Sequence, residues 1–162
     1  MLKRSQKFQF FPFALCLLIS LSAGAIGGLF TKESVGTWYK TINKPTFTPP
    51  DWLFSPVWIS LFILMGMASY LVWRRRKMVS GYAWAVVIYY LQLVLNIMWS
   101  FLFFYQRQIG AAVIEIGVLL VTIIVNAFIF YRVSKVAGLL YIPYIIWVGF
   151  ASYLTYSIFI LN

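Results

Sequence analysis

Histidine is absent from the 162-residue chain, cysteine occurs once, and only three residues are acidic. These absences remove much of enzyme chemistry. Without His and with a single Cys there is no ligand set for zinc or copper, no Ser-His or Cys-His nucleophile pair, and no imidazole for haem iron. The lone thiol, Cys16, lies inside the first apolar run and can form no intramolecular disulfide. Neither a metal site nor a resident cofactor is expected. Low-complexity segments and a fixed-period repeat are also missing.

Charge is scarce too: 10% of the residues are charged against 63% hydrophobic, with a mean hydropathy of +0.89. That balance is far from a soluble domain and reads as an integral membrane protein. The formal charge of +10 arises because Lys and Arg gather at the ends of apolar runs. Such positions mark topology and meet lipid headgroups. No basic stripe is interleaved with aromatics in the way strand binding requires, so no nucleic-acid partner is expected.

Five apolar runs are legible, at about 8–30, 52–73, 82–105, 109–131 and 137–161, each long enough to cross a bilayer. They leave no room for a separate soluble domain. The expected fold is an all-α integral membrane bundle of five transmembrane helices forming a single domain over 1–162. The first run follows Lys3, Arg4 and Lys7 and has some features of a secretory signal; its length and the four runs after it favour a retained helix. The odd number of spans argues against a two-fold internal duplication. Nine Lys and Arg residues fall on the N-terminal side of the bundle and four on the other. This places the N-terminus in the cytoplasm and the C-terminus outside, in a bacterial cytoplasmic membrane.

The segment 38–58, WYKTINKPTFTPPDWLFSPVW, contains four of the six prolines and three of the seven tryptophans. It is too polar and proline-broken to span and too aromatic for an ordinary connection. It is expected to be an ordered cap that brings flat rings to a ligand. Gly24 and Gly28, four apart in SLSAGAIGG, suit close helix packing or a ligand wall. Gln92, Asn96 and Ser100 recur every four residues beside Trp99, a stripe that must face another helix or a cavity. Glu115 is the only carboxylate within a span and serves a structural hydrogen bond or a functional role. Trp147, with Ala151 and Leu154 further along its face, suits either core packing or a slot for a flat ligand. Pro143, four residues before Trp147, allows a kink there.

Taken together, Trp38-Tyr39, Lys44-Pro45, Phe47, Pro49-Pro50, Trp52, Phe54, Pro56-Val57-Trp58, Met65-Gly66 and Tyr70-Leu71-Val72-Trp73, then QLVLNIMWSFLFF and PYIIWVGFASYL, resemble the tryptophan-rich sensory protein or translocator protein family (TspO/MBR, the peripheral benzodiazepine receptor family). The resemblance implies a five-helix bundle, often a homodimer, that binds porphyrins and synthetic isoquinoline or benzodiazepine-type ligands under the first loop. It implies a pocket of Tyr39, Pro49, Phe54, Trp58, Phe62, Asn96, Trp99, Trp147, Ala151 and Leu154. Trp58 and Trp147 match tryptophans implicated in light-driven protoporphyrin degradation by some relatives. Thr155 stands where many relatives have asparagine. No Lys or Arg follows Tyr153 or Tyr156, so the sterol-recognition pattern of animal relatives is not completed.

The expected function is therefore a membrane sensor, receptor or carrier for a porphyrin or haem-type small molecule, held as ligand rather than as cofactor. In this reading the carboxylate tails stay near Lys40 or Lys44. Light-dependent protoporphyrin degradation, with porphyrin as substrate, is the enzymatic alternative. A proton-coupled exporter using Glu115 and a sterol transporter stand further off.

Overall fold

A computed structural model describes residues 7–162, and among them the backbone is helical with no strand. Lys3 and Arg4 of the basic start lie outside the described residues. In chain order the elements are α1 (Phe10–Gly36), the short α2 (Trp38–Thr41), α3 (Asp51–Arg74), α4 (Tyr82–Ser100), α5 (Ile109–Val133), the short α6 (Lys135–Leu139) and α7 (Ile142–Leu161). A π-helical turn, Phe101–Tyr105, continues α4. Five segments are long and apolar enough to span a membrane, α6 and α7 counting as one. The fold is an all-α integral membrane bundle.

Three boundaries differ from those read in the sequence. α1 runs on through the polar residues Thr31–Gly36 and at 1.5 Å per residue is about 40 Å long, so its last two turns reach the cap. The fifth segment is not one helix: it breaks at Leu140 and Tyr141. Pro143 sits in the first turn of α7, where a missing N–H costs nothing, and so it starts the helix rather than kinking it near Trp147.

Close approach fixes how α1 meets its neighbours. A Cβ on Gly66 of α3 would lie 2.9 Å from the Leu17 Cα, so only glycine lets the two backbones come this near. At the same crossing the Ser20 hydroxyl donates to the Phe62 carbonyl at 2.7 Å. Behind this pair, α4, α5 and α7 form the core, with Ile116, Leu119, Ile123, Val148 and Ile158 fully enclosed. Large apolar residues such as Ile114, Val121 and Ile146 point outward, as a bilayer requires.

The polar stripe of α4 faces inward: Gln92, Asn96 and Ser100 are all buried. Asn96 Nδ2 donates to the Tyr144 hydroxyl at 2.9 Å, and that hydroxyl donates to Gln92 Oε1 at 3.0 Å. One tyrosine thus joins α7 to two turns of α4. Asn126 Nδ2 donates to the Tyr141 hydroxyl at 2.6 Å and closes a second polar contact one helix away. Glu115 also faces the bundle interior, and neither of its carboxylate oxygens has a hydrogen-bond partner among the described residues.

Candidate functional site

The segment between α1 and α3 is ordered by its own side chains. Phe47 stacks on Tyr153 of α7 at 5.2 Å with planes 17° apart. Trp38 meets Phe103 edge-on at 5.7 Å, and Tyr39 lies 5.7 Å from Phe104. The Lys44 ammonium sits 4.4 Å above the Tyr39 ring, a cation–π contact. Asn43 and Asn162 clasp each other: the Asn43 amide N–H donates to Asn162 Oδ1, and Asn162 Nδ2 donates to the Asn43 carbonyl, each at 3.0 Å. The cap is pinned to the π-helical turn on one side and to α7 on the other.

Beneath it lies a cavity of about 680 Å³ between α1, α3 and α4. This is a small-molecule volume, walled mostly by apolar groups with a few polar ones. One wall is an array of rings. Trp58 is stacked against Phe62 at 5.9 Å and faces Trp99 at 6.3 Å with planes 30° apart, while Phe103, buried outside the cavity lining, backs Trp99 at 5.5 Å. The opposite wall is backbone. A Cβ on Gly28 would meet nothing within 4 Å, whereas one on Gly24 would lie 2.5 Å from the Phe62 ring. Gly24 therefore makes room for an aromatic, and Gly28 leaves open space.

Polar groups are confined to a few positions. Asn96 and Ser100 lie on the α4 wall, Ser55 and Asp51 on α3, and Thr31 and Lys32 at the cap end of α1. The Trp99 indole N–H is enclosed and has no acceptor among the described residues. Burial, reinforced by the Asp51 carboxylate, pushes the Tyr39 phenol up to about 12, so the cap contributes a neutral hydroxyl here. No group of His, Cys, Asp and Glu suited to a metal ion occurs among the described residues.

Of the ten positions expected at the pocket, Tyr39, Phe54, Trp58, Phe62, Asn96 and Trp99 line this cavity. Pro49, Trp147, Ala151 and Leu154 do not. Ala151 and Leu154 are buried in the α7 core, and the Trp147 ring lies behind Phe54, meeting it edge-on at 5.8 Å. Of the two tryptophans matched to light-driven chemistry, Trp58 is on the wall and Trp147 is one ring removed. Sequence reasoning missed Lys32, Ser55 and Phe104. Lys32 was reachable, since Gly24, Gly28 and Lys32 continue one four-residue period on α1. Lys44, expected near a ligand's tails, is engaged on Tyr39.

Comparison with known proteins gives a consistent result. A family model described as TspO/MBR family matches residues 15–161. The chain is similar to the Tryptophan-rich protein TspO of Chlorobaculum tepidum, with 41% identity over 95% of this chain and 98% of that protein. It is 34% identical to the Translocator protein of Bos taurus over 86% of this chain and 83% of the relative. It is 30% identical to the Tryptophan-rich sensory protein of Cereibacter sphaeroides over 91% and 90%. With its five spanning segments, its tryptophan-walled cavity and near full-length similarity to these proteins, the chain belongs to the TspO/MBR family of membrane sensor and translocator proteins.

Proposed function

We propose that the capped cavity binds a flat, largely apolar ligand bearing carboxylates, of the porphyrin class, and that the protein acts as its membrane sensor or carrier. The observation that carries this reading is the ring wall Phe62–Trp58–Trp99, backed by Phe103, facing the glycine wall of α1. Extended aromatic walls suit a planar π-system, which gains offset stacking beyond its area burial. Lys32 at the cap-side rim offers a charge to a carboxylate tail. The absence of histidine suits a metal-free or weakly ligated macrocycle.

Part of this proposal is a homodimer in a bacterial cytoplasmic membrane with its N-terminus inside. The bias of Lys and Arg toward the end of the bundle where α1 begins supports that orientation.

Binding is tested by the shift of the protoporphyrin Soret band on titration in the dark, a readout independent of tryptophan emission. Trp58→Leu with Trp99→Leu should abolish the shift. Lys32→Gln should weaken the free acid and leave the dimethyl ester, which carries no charge, unaffected. A shift indifferent to all of these substitutions would place the ligand elsewhere. Glu115→Gln separates the exporter alternative, since it should leave the titration unchanged while a proton-coupled exporter would lose cellular drug tolerance.

A further inference from the structure

A second opening lies at the other end of the bundle. Near the cap α1 and α4 approach closely, since a Cβ placed on Gly27 would lie 3.2 Å from the Ser100 hydroxyl. Toward the start of α1 they diverge and leave a cleft of about 370 Å³. Along α1 it runs from Phe11 through Leu15 and Cys16 to Ile19, about 12 Å at 1.5 Å per residue. Its outer edge is open: Phe11, Leu15 and Tyr90 are 77%, 48% and 46% exposed on the bundle surface. A narrow apolar slot, open sideways on a membrane protein, is shaped for a hydrocarbon chain.

The end of the slot is basic. Trp73 lines it, and the Arg76 guanidinium lies 3.7 Å from the Trp73 ring centroid while donating to the Trp73 carbonyl at 3.0 Å. The cation is thus held on Trp73 at the wall, with only one of its five N–H donors used in a hydrogen bond among the described residues. Lys77 is exposed beside it. The four cations of 74–77, with Lys7, Arg132 and Lys135, share this end of the bundle. Every acidic residue, Glu33, Asp51 and Glu115, lies in the cap-side half.

We propose that the cleft is a binding site for one anionic phospholipid, its acyl chain lying between α1 and α4 and its phosphate held by Arg76 with Lys77. The stacked guanidinium is pre-organised to donate to phosphate oxygens. An end with seven described cations and no carboxylate favours a headgroup of net negative charge, because it offers no partner to the ammonium of a zwitterionic lipid. α1 walls both this cleft and the capped cavity, so a bound lipid fixes the helix that carries Gly24 and Gly28.

The test uses the full chain in a neutral detergent, with phosphatidylglycerol and phosphatidylcholine as probes. Retained lipid is read by native mass spectrometry, and alkylation of the single cysteine, Cys16, which lines the cleft, is read by a maleimide. Phosphatidylglycerol should be retained at one per chain and slow alkylation, with phosphatidylcholine weaker by about tenfold, the value of one charge-assisted contact. Arg76→Gln should remove that preference. Leu15→Trp, at a half-exposed rim position, should block retention of both lipids with the helix content and melting temperature of the lipid-free protein unchanged. Equal retention of the two lipids, retention unaffected by Leu15→Trp, or equal protection of Cys16 by inorganic phosphate would each overturn the proposal.

Discussion

Gly24 and Gly28 lie one turn apart on the same face of α1, yet the structure gives them opposite roles, and paired alanine substitutions separate them. In both, replacing glycine removes backbone entropy from the unfolded chain and gains about 0.5–1 kcal/mol in a helix. That gain cancels in the comparison. At Gly24 the new methyl falls 2.5 Å from the Phe62 ring, which is itself buried and stacked on Trp58, so the ring must move. Overpacking of this kind costs about 1–3 kcal/mol. At Gly28 nothing lies within 4 Å, so Gly28→Ala keeps the full gain. For a chain of this size the two variants should differ in melting temperature by roughly 2–12 °C, Gly28→Ala the higher. Thermal unfolding in detergent, followed by tryptophan fluorescence, measures the difference. Equal midpoints, or the reverse order, would refute the assignment of Gly24 to packing and Gly28 to open space.

Other consequences can be measured directly. Tyr144→Phe removes the hydroxyl between Asn96 and Gln92 and leaves two buried amide groups unpaired, so it should cost about 1–3 kcal/mol in chemical denaturation. Because the Tyr39 phenol is raised to about 12 in the folded cap, it favours folding fully below its ordinary value near 10 and loses that contribution as pH rises through 12. Melting temperatures between pH 9 and 12 should therefore fall more steeply for the parent than for Tyr39→Phe. Asn162→Ala deletes both bonds of the clasp on Asn43, on the order of 1 kcal/mol each at most. Faster amide exchange over residues 38–50, with the spanning helices unchanged, is the expected signature.

The spanning segments were legible because a bilayer demands long apolar runs, and the runs announce themselves. Their ends were less so. α1 continues through Thr31–Gly36, of which Thr31, Lys32 and Val35 wall the cavity, a tertiary reason invisible to hydropathy. The break at Leu140 and Tyr141 was masked by unbroken apolarity, and Pro143 pointed to the right region but to the wrong consequence. For the cavity, the period-four stripe Gln92, Asn96 and Ser100 was legible with Trp99 beside it; Asn96, Trp99 and Ser100 line the space, while Gln92 is turned to Tyr144. The likeness to relatives carried Trp147, Ala151 and Leu154 into the expected pocket, while here Phe54 stands between Trp147 and the space. Lys32 escaped notice because a cation at a helix end is usually a topology marker. Only the position of the cap made it part of the rim.

The central claim is that the space between the ring array and the Gly28 wall is where the ligand sits. Dark titration of the purified protein with protoporphyrin, following tryptophan fluorescence in the parent and in Gly28→Leu, addresses it most directly. The account predicts saturable quenching in the parent, and in Gly28→Leu an affinity lower by at least about tenfold, or 1.4 kcal/mol, with folding intact. Identical saturable curves for the two proteins, or quenching that never saturates in either, would contradict it.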